Sequence, residues 1–113
     1  MIGGNKVAQI QIRTVTKNRI GEQVESWEGV KELMGWLDLI SGDSERLNFN
    51  QKIQESTHVF LSDYVQIPGT VTVENSRLVC DGHIYDITLI DDPMERHRQL
   101  EIYLKYTGGQ GNG

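Results

Sequence analysis

The sequence predicts a small, mainly β domain: an antiparallel barrel or sandwich of about six strands, with one short helix and a long flexible loop. Three observations carry that expectation. Residues 99–106 alternate strictly, with Leu100, Ile102, Leu104 and Tyr106 on one face and Gln99, Glu101, Tyr103 and Lys105 on the other. Residues 77–80 and 83–90 are joined by Asp81-Gly82, a dipeptide suited to a two-residue turn with positive φ at both positions, and so to a hairpin. The remaining apolar runs are short and bounded by turn residues, a pattern of small antiparallel β architectures.

In chain order, residues 6–16 place Ala8, Ile10 and Ile12 on one face and Gln9, Gln11 and Arg13 on the other, followed by the turn residues Asn18-Arg19-Ile20-Gly21. Residues 23–40 read equally as helix or strand. Trp27, Val30, Met34 and Leu37 fall at helical spacing. Gly29 and Gly35 oppose a helix, each costing ~1 kcal/mol relative to alanine. Residues 43–55 are polar apart from Leu47, Phe49 and Ile53. They read either as a short helix capped by Ser41 or Ser44 or as a long mobile loop. Residues 58–65 form a strand closed by Ile67-Pro68-Gly69. After the hairpin, Asp91-Asp92-Pro93 stops the strand, because proline cannot donate to a ladder. Residues 107–113 contain four glycines and no apolar side chain, so burial cannot offset their ordering entropy. They read as a disordered tail after a single domain of residues 1–106.

The 113 residues are 37% apolar, enough for one core and too few for two. Sixteen acidic residues against 11 basic give a net charge of -5, which argues against a domain whose main work is neutralising phosphates. No apolar run approaches the ~20 residues that span a bilayer. Met1-Ile2-Gly3-Gly4-Asn5 lacks the charged and apolar regions of a secretory signal. The single cysteine, Cys80, excludes an intramolecular disulfide and fits a reducing compartment.

Candidate chemistry is sparse. Cys80 and His83 form one short-spaced ligand pair, but a tetrahedral zinc site usually needs two such pairs. They read instead as a buried thiol and a partly exposed imidazole flanking a hairpin. Asp91, Asp92, Glu95 and His97 form an acidic cluster that could bind a hard cation, and read more simply as a strand terminator with a solvated turn. No nucleophile elbow, phosphate loop or dinucleotide fingerprint is present. No catalytic residue, cofactor or metal is expected. Tyr103, Lys105 and Tyr106 could be read as a base-stacking platform on a small nucleic-acid-binding barrel. A spacing of three puts the two tyrosines on opposite faces of a regular strand, so barrel packing is the better reading. Trp27 and Trp36 read as core or subunit-contact residues.

These elements, in this order, resemble a known family. Gly21-Glu22 stands a few residues before Trp27; Trp36 opens a stretch leading to Ser41-Gly42 and Glu45; Thr57-His58 opens a strand ending at Tyr64. The strongest stretch is residues 77–87, a strand, an Asp-Gly turn and Tyr85-Asp86-Ile87, running on to Asp91-Asp92-Pro93, Glu95-Arg96 and Leu100-Glu101. Over residues 6–106 the sequence resembles the head–tail joining proteins of long-tailed bacteriophages and prophages, also called head-closure or stopper proteins. Ser62 and Asp63 depart from the pattern, where an aliphatic and a basic residue are common, and leave open which face of residues 58–65 is buried.

The resemblance implies a compact β-barrel with a small helical element and no catalysis, and it favours strand for residues 33–40. It implies a structural protein of the virion that joins capsids in the host cytoplasm during assembly. Members form a ring, usually of twelve copies, beneath the portal and its adaptor, close the DNA-filled capsid and present the surface on which the tail docks. Such a subunit can be monomeric alone and assemble on a templating ring. The implied partners are other copies of the chain, portal, adaptor and tail proteins, with passive contact to packaged DNA and none with a membrane. A tail-completion or terminator protein is the neighbouring reading. By location, the candidate interface residues are Asp43, Glu45, Arg46, Asn50, Gln51 and Lys52 in the polar segment, and Asp91, Asp92, Glu95 and Arg96 after the hairpin. Trp27 joins them because tryptophan and arginine most often carry interface energy.

Overall fold

A computed structural model describes residues 4–40 and 55–110. Among the described residues six strands follow in order: β1 (Lys6–Lys17), β2 (Gln23–Leu39), β3 (His58–Asp63), β4 (Ser76–Cys80), β5 (His83–Asp91) and β6 (Gln99–Gln110). All neighbours are antiparallel, in the order β1-β2-β3-β6-β5-β4, and β4 returns to β1, so the sheet closes into a barrel. Closure removes the free edges that a six-stranded open sheet would present.

Residues 23–40, which read equally as helix or strand, are strand almost throughout. The helical spacing has a different cause. Ile10 pairs with Lys31 and Gln11 with Gly29, so Val30 is an extra residue, a bulge, in β2. The bulge lets Val30 and Leu33, three residues apart, both pack against the core.

β2 changes partner along its length. It pairs with β1 from Gln23 to Gly35 and with β3 from Gly35 to Leu39, so only Gly35 faces a residue on each side, Lys6 and Ser62. A Cβ at Gly35 would collide with the Leu61 carbonyl oxygen and stand 3.0 Å from the Phe60 ring.

The barrel interior is filled by Ala8, Ile10, Leu33, Phe60, Leu78, Cys80, Tyr85, Ile87, Ile102 and Leu104. Alternation supplies them, as the sequence leads one to expect for β1 and β6. Each fully buried aliphatic or aromatic side chain of this set contributes about 1.5–3 kcal/mol. Ser62 follows Phe60 on the inward face and is 2% exposed, opposite Gly35 and Leu100, with its hydroxyl donating to the Asp63 carbonyl at 3.1 Å. The inward face of β3 is therefore the Phe60–Ser62 face, while Val59 is buried on the other. β6 is buried on both sides: Val59 and Tyr103 form a second cluster outside the barrel, with Leu61, Leu89 and Ile40 against it.

Two turns match their sequence signals. Asp81 (φ 53°) and Gly82 (φ 78°) both lie in the left-handed region, as a type I′ turn requires. At the β1–β2 turn the Gly21 N–H donates to Asn18 O (3.1 Å) and the Asn18 N–H to Glu22 O (3.0 Å), with Gly21 at φ 84°. This is a three-residue hairpin loop, a type I turn followed by a left-handed glycine.

The helical content of the described residues is one 3-10 turn, Pro93–Glu95, just where Asp92-Pro93 ends β5. β6 continues through Thr107, Gly108, Gly109 and Gln110, residues assigned on composition to a disordered tail, with Gln110 paired to His83. Residues 111–113 and the polar segment, read as short helix or mobile loop, lie outside the described residues except for residues 55–57. There Ser56 is buried, its hydroxyl 2.6 Å from that of Thr88.

Gly35→Ala should lower the unfolding free energy by about 1–3 kcal/mol, the cost of overpacking against backbone. Gly69→Ala, which adds its Cβ into open space, should stay within ~0.5 kcal/mol of wild type. Urea denaturation of the two variants checks this.

Candidate partner interface

The topology assigns the predicted interface residues among the described residues to one end of the barrel. At one end lie the starts of β1, β3 and β5 and the finish of β2, β4 and β6. At the other lie the β5–β6 connection and a projecting arm, the distal halves of β1 and β2. β1 pairs with β4 only from Ala8 to Ile12, and β2 meets β3 only from Gly35 onward, so the hairpin beyond is a two-stranded ribbon.

Trp27 sits at the base of that arm, opposite Arg13. The Arg77 guanidinium lies 4.2 Å from its ring centroid, and Arg77 Nε donates to Gln11 Oε1 at 2.8 Å. Burial draws Arg77 below the usual guanidinium range, with Glu25 opposing the shift. The stack is a cation–π contact of about 0.5–2 kcal/mol, and it fixes half-buried Trp27 against the barrel.

The β5–β6 connection collects Asp91, Asp92, Glu95 and Arg96. Asp91 ends β5, paired with Glu101. Asp92 organises the turn: its carboxylate accepts the His97 N–H at 3.0 Å and lies 2.5 Å from His97 Nδ1, while its carbonyl accepts the Glu95 N–H at 2.8 Å. The His97 ring packs on Tyr64 at 4.6 Å. Met94, Glu95 and His97 all have φ between 53° and 57°. Left-handed backbone costs a non-glycine residue about 1–2 kcal/mol, so Asp92 and Tyr64 hold a strained loop in place. Met94, Glu95 and Arg96 stand exposed at its tip. Trp27 and these four residues therefore share one end of the barrel. Asp43, Glu45, Arg46, Asn50, Gln51 and Lys52 lie outside the described residues.

Two features escaped the sequence reading. The first is a ring cluster at the opposite end, built from three strands: His58 packs on Tyr85 (5.1 Å) and Tyr106 (6.3 Å), and Tyr106 on Tyr85 (5.3 Å) and His83 (5.7 Å). The Tyr106 hydroxyl lies 3.3 Å from His83 Nδ1, and Lys6 pairs with Asp81 at 2.6 Å beside it. Burial raises both Tyr85 and the Cys80 thiol, which faces the core. The second is an exposed apolar stripe on the outside of β1 and β2: Val7 opposite Met34, then Trp36. Tyr103 is 1% exposed and donates to Glu101 Oε1 at 2.7 Å, whereas Tyr106 is 38% exposed. The two tyrosines do not form a platform for bases.

Burial holds His58 below the usual histidine range. The unfolded chain therefore takes up this proton first as pH falls. Its contribution to stability is complete above ~6.5, the unfolded value, and is lost progressively as pH drops toward the lowered folded value. The urea midpoint should fall between about pH 7.5 and about pH 5. His58→Gln should remove part of that fall while leaving the rest of the profile unchanged.

Three comparisons place this architecture. The family model described as phage head completion protein matches residues 4–105. No curated protein matches the sequence. Among solved structures, the protein SF1141 from Shigella flexneri 2a is similar, with a TM-score of 0.69 and 18% identity over 95% of this chain and 96% of that one. A chain from the virion of a native gene transfer agent particle is similar with a TM-score of 0.50 and 14% identity over 88% of this chain and 91% of that one. At those identities the structures speak for the fold, and the match over residues 4–105 settles the family: the chain belongs to the phage head completion proteins, which are structural proteins of the virion.

Proposed function

We propose that this chain is a component of the head–tail connector, assembling as a ring beneath the portal and its adaptor, closing the DNA-filled capsid and forming the surface on which the tail docks. Family membership over residues 4–105 is the observation that carries this reading. The gene transfer agent neighbour, itself a chain of a virion, supports the same setting. The barrel supplies a rigid body. At one end, the arm and the strained turn carrying Glu95 and Arg96 offer projecting contacts; on the side, Val7, Met34 and Trp36 offer apolar area. A net charge of -5 suits a channel through which DNA slides without adhering. The subunit waits in the host cytoplasm until a filled capsid presents the template ring.

The test is binding to DNA-filled, tailless capsids of the same phage. Co-sedimentation should saturate at one ring per capsid and improve DNA retention. Binding to isolated tail tubes without binding to capsids would overturn head closure and make the chain a tail-completion protein.

A further inference from the structure

The projecting arm leaves two backbone edges open. On β1, residues 8–12 pair with β4 and the Arg13 N–H donates to Asn75 O at 2.8 Å, but residues 14–17 face no strand other than β2 among the described residues. On β2, residues 23–34 have β1 on one side and no strand among the described residues on the other. Open edges of this length are templates for further pairing.

The ladder fixes which groups face outward. Asn18 and Glu22 exchange a hydrogen bond across the turn, so antiparallel alternation makes Thr16–Val24 and Thr14–Ser26 the bonded pairs. The N–H and C=O groups of Val15 and Lys17 then point away from β2, and those of Gln23 and Glu25 point away from β1. The Arg13–Asn75 bond has the same phase and verifies it.

The edges carry opposite charge. Lys17 lies on the open β1 edge, with Arg13 at its base and Arg19 at the tip, whereas Glu25, Glu28 and Glu32 outnumber Lys31 on β2, with Glu22 beside the tip. Within one arm only the exposed Arg13–Glu25 pair, at 3.7 Å, is made among the described residues. A second arm of the same chain, rotated about an axis along the ribbon, presents its β1 edge to this β2 edge. Because β1 and β2 run antiparallel within a copy, β2 and the neighbour's β1 also run antiparallel, and basic meets acidic. A partner that pairs with β2 alone would leave the β1 edge open; a copy of the chain uses both.

We propose that the arms of neighbouring copies join edge to edge, the β1 edge of one against the β2 edge of the next, so that the ring carries one continuous antiparallel sheet of arms at one end. This rests on the ring reading above and names the contact that builds the ring. It is a head-to-tail contact, the kind that rotation closes into a ring. The arm extends about 15–20 Å beyond the barrel, at ~3.3 Å per residue.

The test uses two variants, Lys17→Cys and Glu25→Cys; the native Cys80 is buried and does not compete. An equal mixture is loaded onto DNA-filled, tailless capsids, oxidised mildly, and its cross-links identified by peptide mass spectrometry. The mixed 17–25 disulfide should exceed either homodimer by about tenfold, since the bond forms only across Cα separations of about 4.4–6.8 Å. Normal capsid binding with no mixed product, or with 17–17 or 25–25 homodimers, overturns the arm contact and leaves the ring reading standing. If wild-type protein does not bind capsids, the ring reading fails. The same mixture concentrated in solution then decides the arm contact: the mixed product upholds it, and its absence overturns it.

Discussion

The structure depends on one backbone contact, the transfer of β2 from β1 to β3 at Gly35. Gly35 faces Lys6 on one side and Ser62 on the other, with the Leu61 carbonyl pressed where a side chain would stand. Upstream of that point β2 belongs to the β1 hairpin; downstream it belongs to the barrel wall. The Val30 bulge turns the strand so that Val30 and Leu33 both reach the interior. Closing the barrel and projecting the arm are therefore two results of one geometry. A bulkier residue at Gly35 would strain both.

The two ends of the barrel differ in chemistry. One is tied by rings and one exposed ion pair: His58, His83, Tyr85 and Tyr106 pack together and Lys6 meets Asp81. The other carries the arm and a turn held in left-handed backbone at three non-glycine positions. Strain of that kind persists where surrounding contacts over-determine it, and here Asp92 and Tyr64 do so. For a structural protein of the virion, the reading proposed above gives the strained, projecting end to contact and the ring-packed end to rigidity.

Local signals in the sequence were sufficient where structure is local. The alternation of residues 99–106, the Asp81-Gly82 turn, the Asn18–Gly21 turn and the stop at Asp92-Pro93 all appear where they were expected. Residues 23–40 were ambiguous because a bulge in a long strand imitates helical spacing, and because Gly35 is demanded by a neighbour 26 residues away, Leu61. The strand after Tyr106 was missed for a related reason. Its glycines carry no side chain to bury, and it is held by backbone pairing to His83 on another strand. The ring cluster needs three strands brought together and leaves no spacing signal. The location of Asp91, Asp92, Glu95 and Arg96 on one turn was legible, but the structural role of Asp92 was not, since it depends on His97 in left-handed backbone.

The measurement that tests the central claim most directly is residue-resolved amide hydrogen exchange of the free protein. Exchange reports the free energy of opening at each backbone group. If β2 leaves β1 for β3 at Gly35, the amides of Phe60, Leu78, Ile102 and Leu104 exchange slowest. Those of Trp36 and Asp38, which face β3 in phase with the Ile40–Thr57 bond, are protected with them, while the outward amides of Val15, Lys17, Gln23 and Glu25 exchange like unstructured chain. Fast exchange at Trp36 and Asp38, or protection along both edges of the arm equal to that of the barrel, would contradict the account.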